Sequence, residues 1–440
     1  MEENEGLSFG KKLRKLFIGS SRNPKDKTLF HKISLIAFFA WVALGADGMS
    51  SSSYGPEEAF RVLQGHPTLG LFVALGSAFT IFIVSTSYYQ IIQLFPTGGG
   101  GYLVASKLLS PKVGMISGCA LLIDYVLTIT LSVASGADAL FSFLPSGWYH
   151  FRLEFAVFVL LLLIILNLRG IKESVLPLIP IFIIFVLTHV LLIGYALGSH
   201  LFDLPVVIET TKIDLQNSVS ELGMIGVILL ILRAYSMGAG TFTGIEAVCN
   251  GLPILREPKV ETAKRTMRYM AISLALLVLG LMFAYLLYGV KPQPGKTLNA
   301  ILFQSITAGW GSDWGYYIVL ITLISEAALL TIAAQTGFID GPRVLSNMAL
   351  DRWMPTRFAT LSDRLVTQNG ILIMGVAAFI LMISTQGSVR FLVVLYSINV
   401  FIDFVLSQLG MVRHWWISRR QQRYWKKKIM LETITFRPIP

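Results

Sequence analysis

The stretch GADGMSSSSYGPEE, Gly45–Glu58, follows directly on the apolar run ISLIAFFAWVAL and decides how the rest of the chain is read. It puts a carboxylate, four serines, a tyrosine and three glycines where a spanning helix should continue. Irregular backbone at membrane depth survives only where protein or a polar cavity satisfies its NH and CO groups. Such a break therefore marks a binding site, whereas small residues for close helix packing would not require Asp47, Tyr54 and Glu57.

The membrane setting comes from composition. Of 440 residues, 54% are hydrophobic and 14% charged, with mean hydropathy +0.67, against roughly 25% charge in soluble domains. Apolar runs of about spanning length occur near 31–54, 68–95, 113–143, 153–168, 174–198, 222–250, 268–290, 314–341, 368–386 and 389–412. The polar, basic N-terminus up to Lys32 has no cleavable signal, so the first run is expected to stay in the mature protein. With that end cytoplasmic, the inner segments hold about 29 Lys and Arg and the outer ones about 6, which predicts both termini inside the cell membrane. The net charge of +11 lies in short segments between apolar runs, and nucleic acid is not expected as a partner. Cys119 and Cys249 suggest packing rather than a disulfide framework.

The run near 222–250 contains a second interruption, MGAGTFTGIEAVCN, and five runs per half give the halves opposite orientations. Tyr54, Gly55 and Glu57 align with Thr243, Gly244 and Glu246. The expected fold is all-α and membrane-integral: about ten helices in a five-plus-five inverted repeat, with the first and sixth broken. Its halves are 31–198 and 222–412, flanked by a basic N-terminal segment, 1–30, and a basic tail, 413–440.

In the third run Asp124, Thr128, Ser132 and Ser135 share one helical face. They offer oxygen ligands toward the bundle interior, or else a hydrogen-bonding seam between helices. With Asp47, Tyr54, Tyr125, Thr243 and Glu246 they form an oxygen-rich constellation suited to a hard alkali cation. His189 reads as a satisfied structural histidine. Arg233, Glu326, Asp340 and Asp403 are candidates for buried ion pairs or a proton path, and Asp138 and Glu154 for the outer interface. No transition-metal cluster, phosphate loop or nucleophile motif is present, and PTGGGGY, Pro96–Tyr102, lacks the strand context of a dinucleotide site, so neither an enzyme nor a cofactor is expected.

At these residues the chain resembles the APC superfamily of amino acid, polyamine and cation carriers, whose members share the LeuT-type fold. The resemblance rests on Pro96, Gly98 to Gly101, Tyr102, Gly114 and Gly118, and on PRVLSNMALDRWMP, Pro342 to Pro355. Within the superfamily it is similar to the KUP and KimA type potassium importers, through Asp47 followed seven residues on by Tyr54, DYVLTITLSV from Asp124, and TGIE from Thr243. The resemblance implies potassium ligands at Asp47, Tyr54, Asp124, Tyr125, Thr128, Ser132 and Thr243, and proton coupling at Asp47, Asp124 or Glu246. It implies K+ uptake with H+ and membrane lipid as surroundings; a homodimer is a further partner to consider, although the cytosolic dimer contacts of KimA-type proteins do not carry over. Such proteins continue for two further spans beyond the point matched by RRQQRYWKKK. A proton-coupled amino acid or polyamine permease of the same fold is the alternative, and a non-transporting receptor or inactive carrier a third.

Overall fold

The chain enters its first helix from an extended residue, Leu35, which forms a parallel bridge with Leu255. The Leu35 amide donates to the Ile254 carbonyl at 3.0 Å and the Arg256 amide to the Leu35 carbonyl at 2.9 Å. In this computed structural model, residues 35–63, 65–169, 175–362 and 367–435 are described; side chains are not described at 175–177, 203–204, 312 and 421–435. The N-terminal segment 1–30 lies outside the described residues.

Helix α1 spans Ala37–Ser50 and α2 Gly55–Val62, joined by a single 3-10 turn over Ser51–Ser53. The break is thus narrower than the polar stretch suggests. The Ser50, Ser51 and Ser52 hydroxyls donate back to the carbonyls of Asp47, Gly48 and Met49 at 2.8, 2.5 and 2.7 Å. Local hydroxyls thereby satisfy carbonyls that water cannot reach. Only Tyr54, at φ −125° and ψ −32°, leaves helical geometry, and Pro56 sits in the first turn of α2, where its missing NH costs nothing.

The next helices are α3, Gly70–Leu94, α4, Pro111–Phe141, α5, Arg152–Leu168, and α6, Val175–Ser199. Ser110 caps α4, its hydroxyl accepting from the Val113 amide at 3.3 Å, and Pro111 occupies the first turn. The PTGGGGY stretch turns the chain after α3 and ends in the first turn of a short helix, Gly100–Val104, ahead of α4. Gly98, Gly99 and Gly100 all take positive φ there, and a side chain on Gly98 would press on the Cys249 carbonyl.

Helix α7, Leu204–Met237, contains a non-helical residue at Gly223, φ 72° and ψ 162°. Its first part occupies what hydropathy left as a connector. After Met237 come a 3-10 turn, Gly238–Phe242, extended Thr243, Gly244 at φ 80°, and the one-turn helix α8, Ala247–Asn250. The second interruption is therefore wider than the first.

Helix α9 is Lys259–Leu287, α10 Leu298–Thr307, α11 Ser312–Leu350, α12 Gln368–Ser384 and α13 Val389–Thr435. Hydropathy did not single out α10. At ten residues it is about 15 Å long, half a bilayer core, and Leu298, Asn299, Ala300, Leu302 and Phe303 are buried against protein rather than lipid. Thr297 caps it, accepting from the Ala300 amide at 3.2 Å. Helix α13 runs without interruption into the stretch expected as a tail, up to Thr435; residues 436–440 lie outside the described residues.

Eight helical stretches are long and apolar enough to cross a membrane; α12 and the broken pair α1 and α2 complete ten spans among the described residues. Apart from the Leu35–Leu255 bridge these residues are helical or connecting. Helix α4 runs through the middle, packed on α11 and α13, while α3 packs on α9. The outward faces carry Phe79, Ile225 and Leu276, as a lipid solvent requires, and the small and polar residues turn inward.

Candidate functional site

The two interruptions meet in the middle of the bundle. A Cβ on Gly244 would collide with the Gly48 amide, and one on Gly48 would stand 3.3 Å from the Thr243 carbonyl. Similarly, a Cβ on Gly240 would lie 2.7 Å from the Tyr54 ring, and one on Gly55 would strike the Thr241 side chain. Gly244 is required twice over, by its positive φ and by this contact.

Around that crossing, Asp47, Tyr54, Asp124, Tyr125, Thr128, Ser132, Thr243 and Glu246 are all buried. They fall into three neighbouring groups. In the first, the Tyr54 hydroxyl is within hydrogen-bonding reach of Thr243 and Tyr396, and the Tyr396 hydroxyl lies 3.1 Å from Thr128 Oγ1. The Thr243 hydroxyl donates to the Gly240 carbonyl at 2.7 Å, which leaves its oxygen lone pairs facing the group.

The second group is built on Asp47. Its carboxyl lies near the Thr336 side chain, whose hydroxyl donates to the Ala333 carbonyl at 2.7 Å, and feels the charge of Asp340. Asp340 is in turn 3.3 Å from the Arg343 guanidinium. In the third, Asp124 lies within electrostatic range of Glu246, Asp403 and Asp47. Ser117 donates to Asp403 Oδ1 at 3.0 Å, and the Gly244 amide to Glu246 Oε1 at 3.3 Å. Asp124 Oδ1 and Glu246 Oε2 are buried without a hydrogen-bond partner. Tyr125 accepts from the Asn250 side-chain amide at 2.9 Å, which ties α4 to the far end of the second interruption. Ser132 is buried on the same face of α4 as Asp124 and Thr128.

Among the described residues no Lys or Arg forms an ion pair with Asp47, Asp124, Glu246 or Asp403. A charge taken out of water without a partner costs several kcal/mol. Four carboxyls so placed must be neutralised by protons or by a cation that enters among them. The hydroxyls of Tyr54, Thr128, Thr243 and Tyr396 supply the uncharged oxygens that would replace a cation's hydration shell.

Sequence reasoning missed Tyr396, Thr336 and Asn250. They come from α13, α11 and α8, and the only signal was a polar residue in an apolar helix. Asp403, a sequence candidate for an ion pair or a proton path, lies in the third group, near Asp124 and bonded to Ser117. Two expectations fail. Arg233 is exposed on α7 rather than in a buried ion pair. His189 is not fully satisfied: Nδ1 meets the Phe185 carbonyl at 2.9 Å, but Nε2 has no hydrogen bond. Asp138, placed by sequence near an interface, is paired with Arg152. Both cysteines are free.

Ten spans, two of them interrupted where they cross at a buried polar centre, make a polytopic membrane protein with the architecture on which many transporters are built. The sequence model of the family described as "Amino acid permease" matches residues 33–437. The chain is 33% identical over 432 residues to the potassium transporter KimA of Bacillus subtilis (strain 168), a match covering 97% of this chain and 66% of that protein. It thus spans a little under two thirds of that relative's length. Among solved structures it is similar to a Na+-coupled sialic acid symporter in a substrate-bound outward-open state, with TM-score 0.54, 12% identity, and 92% and 84% of the two chains covered. At that identity the likeness speaks for the fold alone. The chain belongs to the amino acid permease family of the APC superfamily, with the LeuT-type fold. Its relatives are transporters, not enzymes.

Proposed function

We propose that this chain is a secondary active transporter that imports potassium ions with protons by alternating access. The observation that carries the reading is the cluster of Asp47, Asp124, Glu246 and Asp403, buried without Lys or Arg partners beside the hydroxyls of Tyr54, Thr128, Thr243 and Tyr396. The potassium transporter among its relatives supports the choice of ion.

In this reading the cation sheds water onto Tyr54, Tyr125, Thr128, Ser132 and Thr243, while Asp47 and Asp124 balance its charge. Asp47, Asp124 and Glu246 are the candidate groups whose protonation is coupled to its binding. The halves 31–198 and 222–412 act as inverted repeats whose rocking exposes the crossing to either side. The protein sits in the plasma membrane with both termini cytoplasmic, surrounded by lipid, as a monomer or homodimer, and uses no cofactor. Its membrane potential favours entry by about 2.3 kcal/mol per charge per 100 mV.

The test is complementation of a K+-uptake-deficient strain at low K+. Growth is expected, and Asp124→Asn is expected to abolish it. No growth despite verified membrane insertion overturns the potassium reading.

A second reading, a proton-coupled amino acid or polyamine permease, is favoured by the family model that matches the chain. Asp47, beside the first interruption, would repel an amino acid carboxylate but attract a polyamine. Binding of labelled putrescine that excess K+ leaves untouched would decide for it.

A further inference from the structure

A second set of buried titratable groups lies apart from the cargo cluster, between α6, α9, α10 and α11. His189 on α6 is 0% exposed and Glu326 on α11 1% exposed. Their Nε2 and Oε2 atoms face each other at 3.8 Å, and neither has a hydrogen-bond partner. Phe185 lies tilted over the imidazole and Phe303 meets it edge-on, with ring centroids 4.0 and 5.2 Å away, closing it off from water. Glu326 Oε1 accepts from the Asn299 amide at 3.4 Å, and Asn299 is held by the Tyr285 hydroxyl at 2.5 Å.

The charges around the pair are otherwise spent. Glu57 on α2 is engaged by Arg61 at 2.6 Å and by the Leu298 amide at 3.0 Å; Glu58 lies 3.8 Å from the same guanidinium. No Lys or Arg reaches Glu326 among the described residues. Electroneutrality in this dry site therefore requires one proton on the pair, as a carboxylic acid beside neutral imidazole or as carboxylate beside imidazolium. Losing it would strand a bare anion.

Symport needs such a place. A carboxyl inside the cargo cluster exchanges its proton for the cation, so the two compete there, whereas symport requires both on board together. The pair is also connected to the crossing: the buried Ser53 hydroxyl, which has no hydrogen-bond partner, acts on Glu326, and the next residue is Tyr54.

We propose that His189 and Glu326 form a proton-binding site separate from the cargo cluster, which holds the co-transported proton while the cation is bound. The inference rests on the symport reading above.

The experiment uses the full chain in liposomes, with Rb+ as probe ion and a pH dye inside. Wild-type protein is expected to take up H+ when an inward Rb+ gradient is imposed. Glu326→Gln is expected to bind Rb+ as wild type does but to lose Rb+-driven H+ movement by about tenfold or more. H+ movement at wild-type rate in Glu326→Gln overturns the proposal. Should that variant not fold, His189→Gln is expected to displace the pH of half-maximal uptake by about one unit, and an unchanged profile overturns the proposal equally. If wild-type protein itself moves no H+ with Rb+, the symport reading fails. The infrared carbonyl band of a protonated acid, compared between wild type and Glu326→Gln, then still decides whether the pair binds a proton.

Discussion

Gly244→Ala tests the crossing of the two interruptions. Gly244 sits at φ 80°, and the added methyl would be driven into the Gly48 amide and toward the Asp47 carbonyl carbon, which lies 3.1 Å from its position. Left-handed backbone costs an L-residue about 1–2 kcal/mol, and overpacking a tight contact adds typically about 1–3 kcal/mol. These neighbours are backbone atoms, which cannot swing aside like the end of a side chain. The combined cost is then about 2–5 kcal/mol, and relaxation would displace Asp47 and Thr243 together. The assay is thermal unfolding of the purified protein in detergent, alongside Rb+ uptake into cells. Gly244→Ala is expected to melt several degrees lower and to lose most uptake. Gly147→Ala, where nothing lies within 4 Å of the new methyl, is the control and should behave as wild type. Wild-type melting and uptake in Gly244→Ala would refute the interlocked crossing, because no nearby side chain could absorb the methyl.

Other consequences are checked by similar means. Tyr396→Phe removes the hydroxyl between Tyr54 and Thr128; at about 1 kcal/mol per neutral hydrogen bond, the K+ concentration for half-maximal uptake should rise about fivefold. Arg61→Ala leaves Glu57 buried without its counter-charge. Breaking a fully buried pair costs about 3–5 kcal/mol, and since the Arg61 side chain is 28% exposed the expected loss, read from denaturation, is about 2–4 kcal/mol. Tyr102, in the short helix Gly100–Val104 between spans, donates to Asp351 Oδ2 at 2.5 Å; burial and that acceptor hold its hydroxyl well above the ordinary tyrosine range, so it stays a donor through alkaline pH. Tyr102→Phe should lower the melting temperature in detergent without changing Rb+ affinity.

The spans were legible because transfer of a segment into lipid is a local sum over its own residues, and ten runs carried that signal. Both interruptions were legible for a related reason: hydrogen-bonding residues and glycine are rare in a lipid-facing helix, so Gly45–Glu58 and Met237–Asn250 stood out. The same reasoning failed at α10, whose apolar residues are too few to reach across a bilayer and are covered by protein instead.

By itself, the sequence determined that the chain spans a membrane many times, where two of its helices are interrupted, and which carboxyls and hydroxyls around these interruptions and on α4 are candidates for one site. Only the tertiary structure decided that Tyr396 and Thr336 complete that site, that Ser50 to Ser52 are occupied in satisfying their own helix, and that His189 faces Glu326 across 3.8 Å. The physical reason is range. Insertion depends on neighbours in sequence, but pairing across 137 or 268 positions depends on how each helix is rotated and tilted. Packing of the whole bundle sets those angles, and no single segment encodes them.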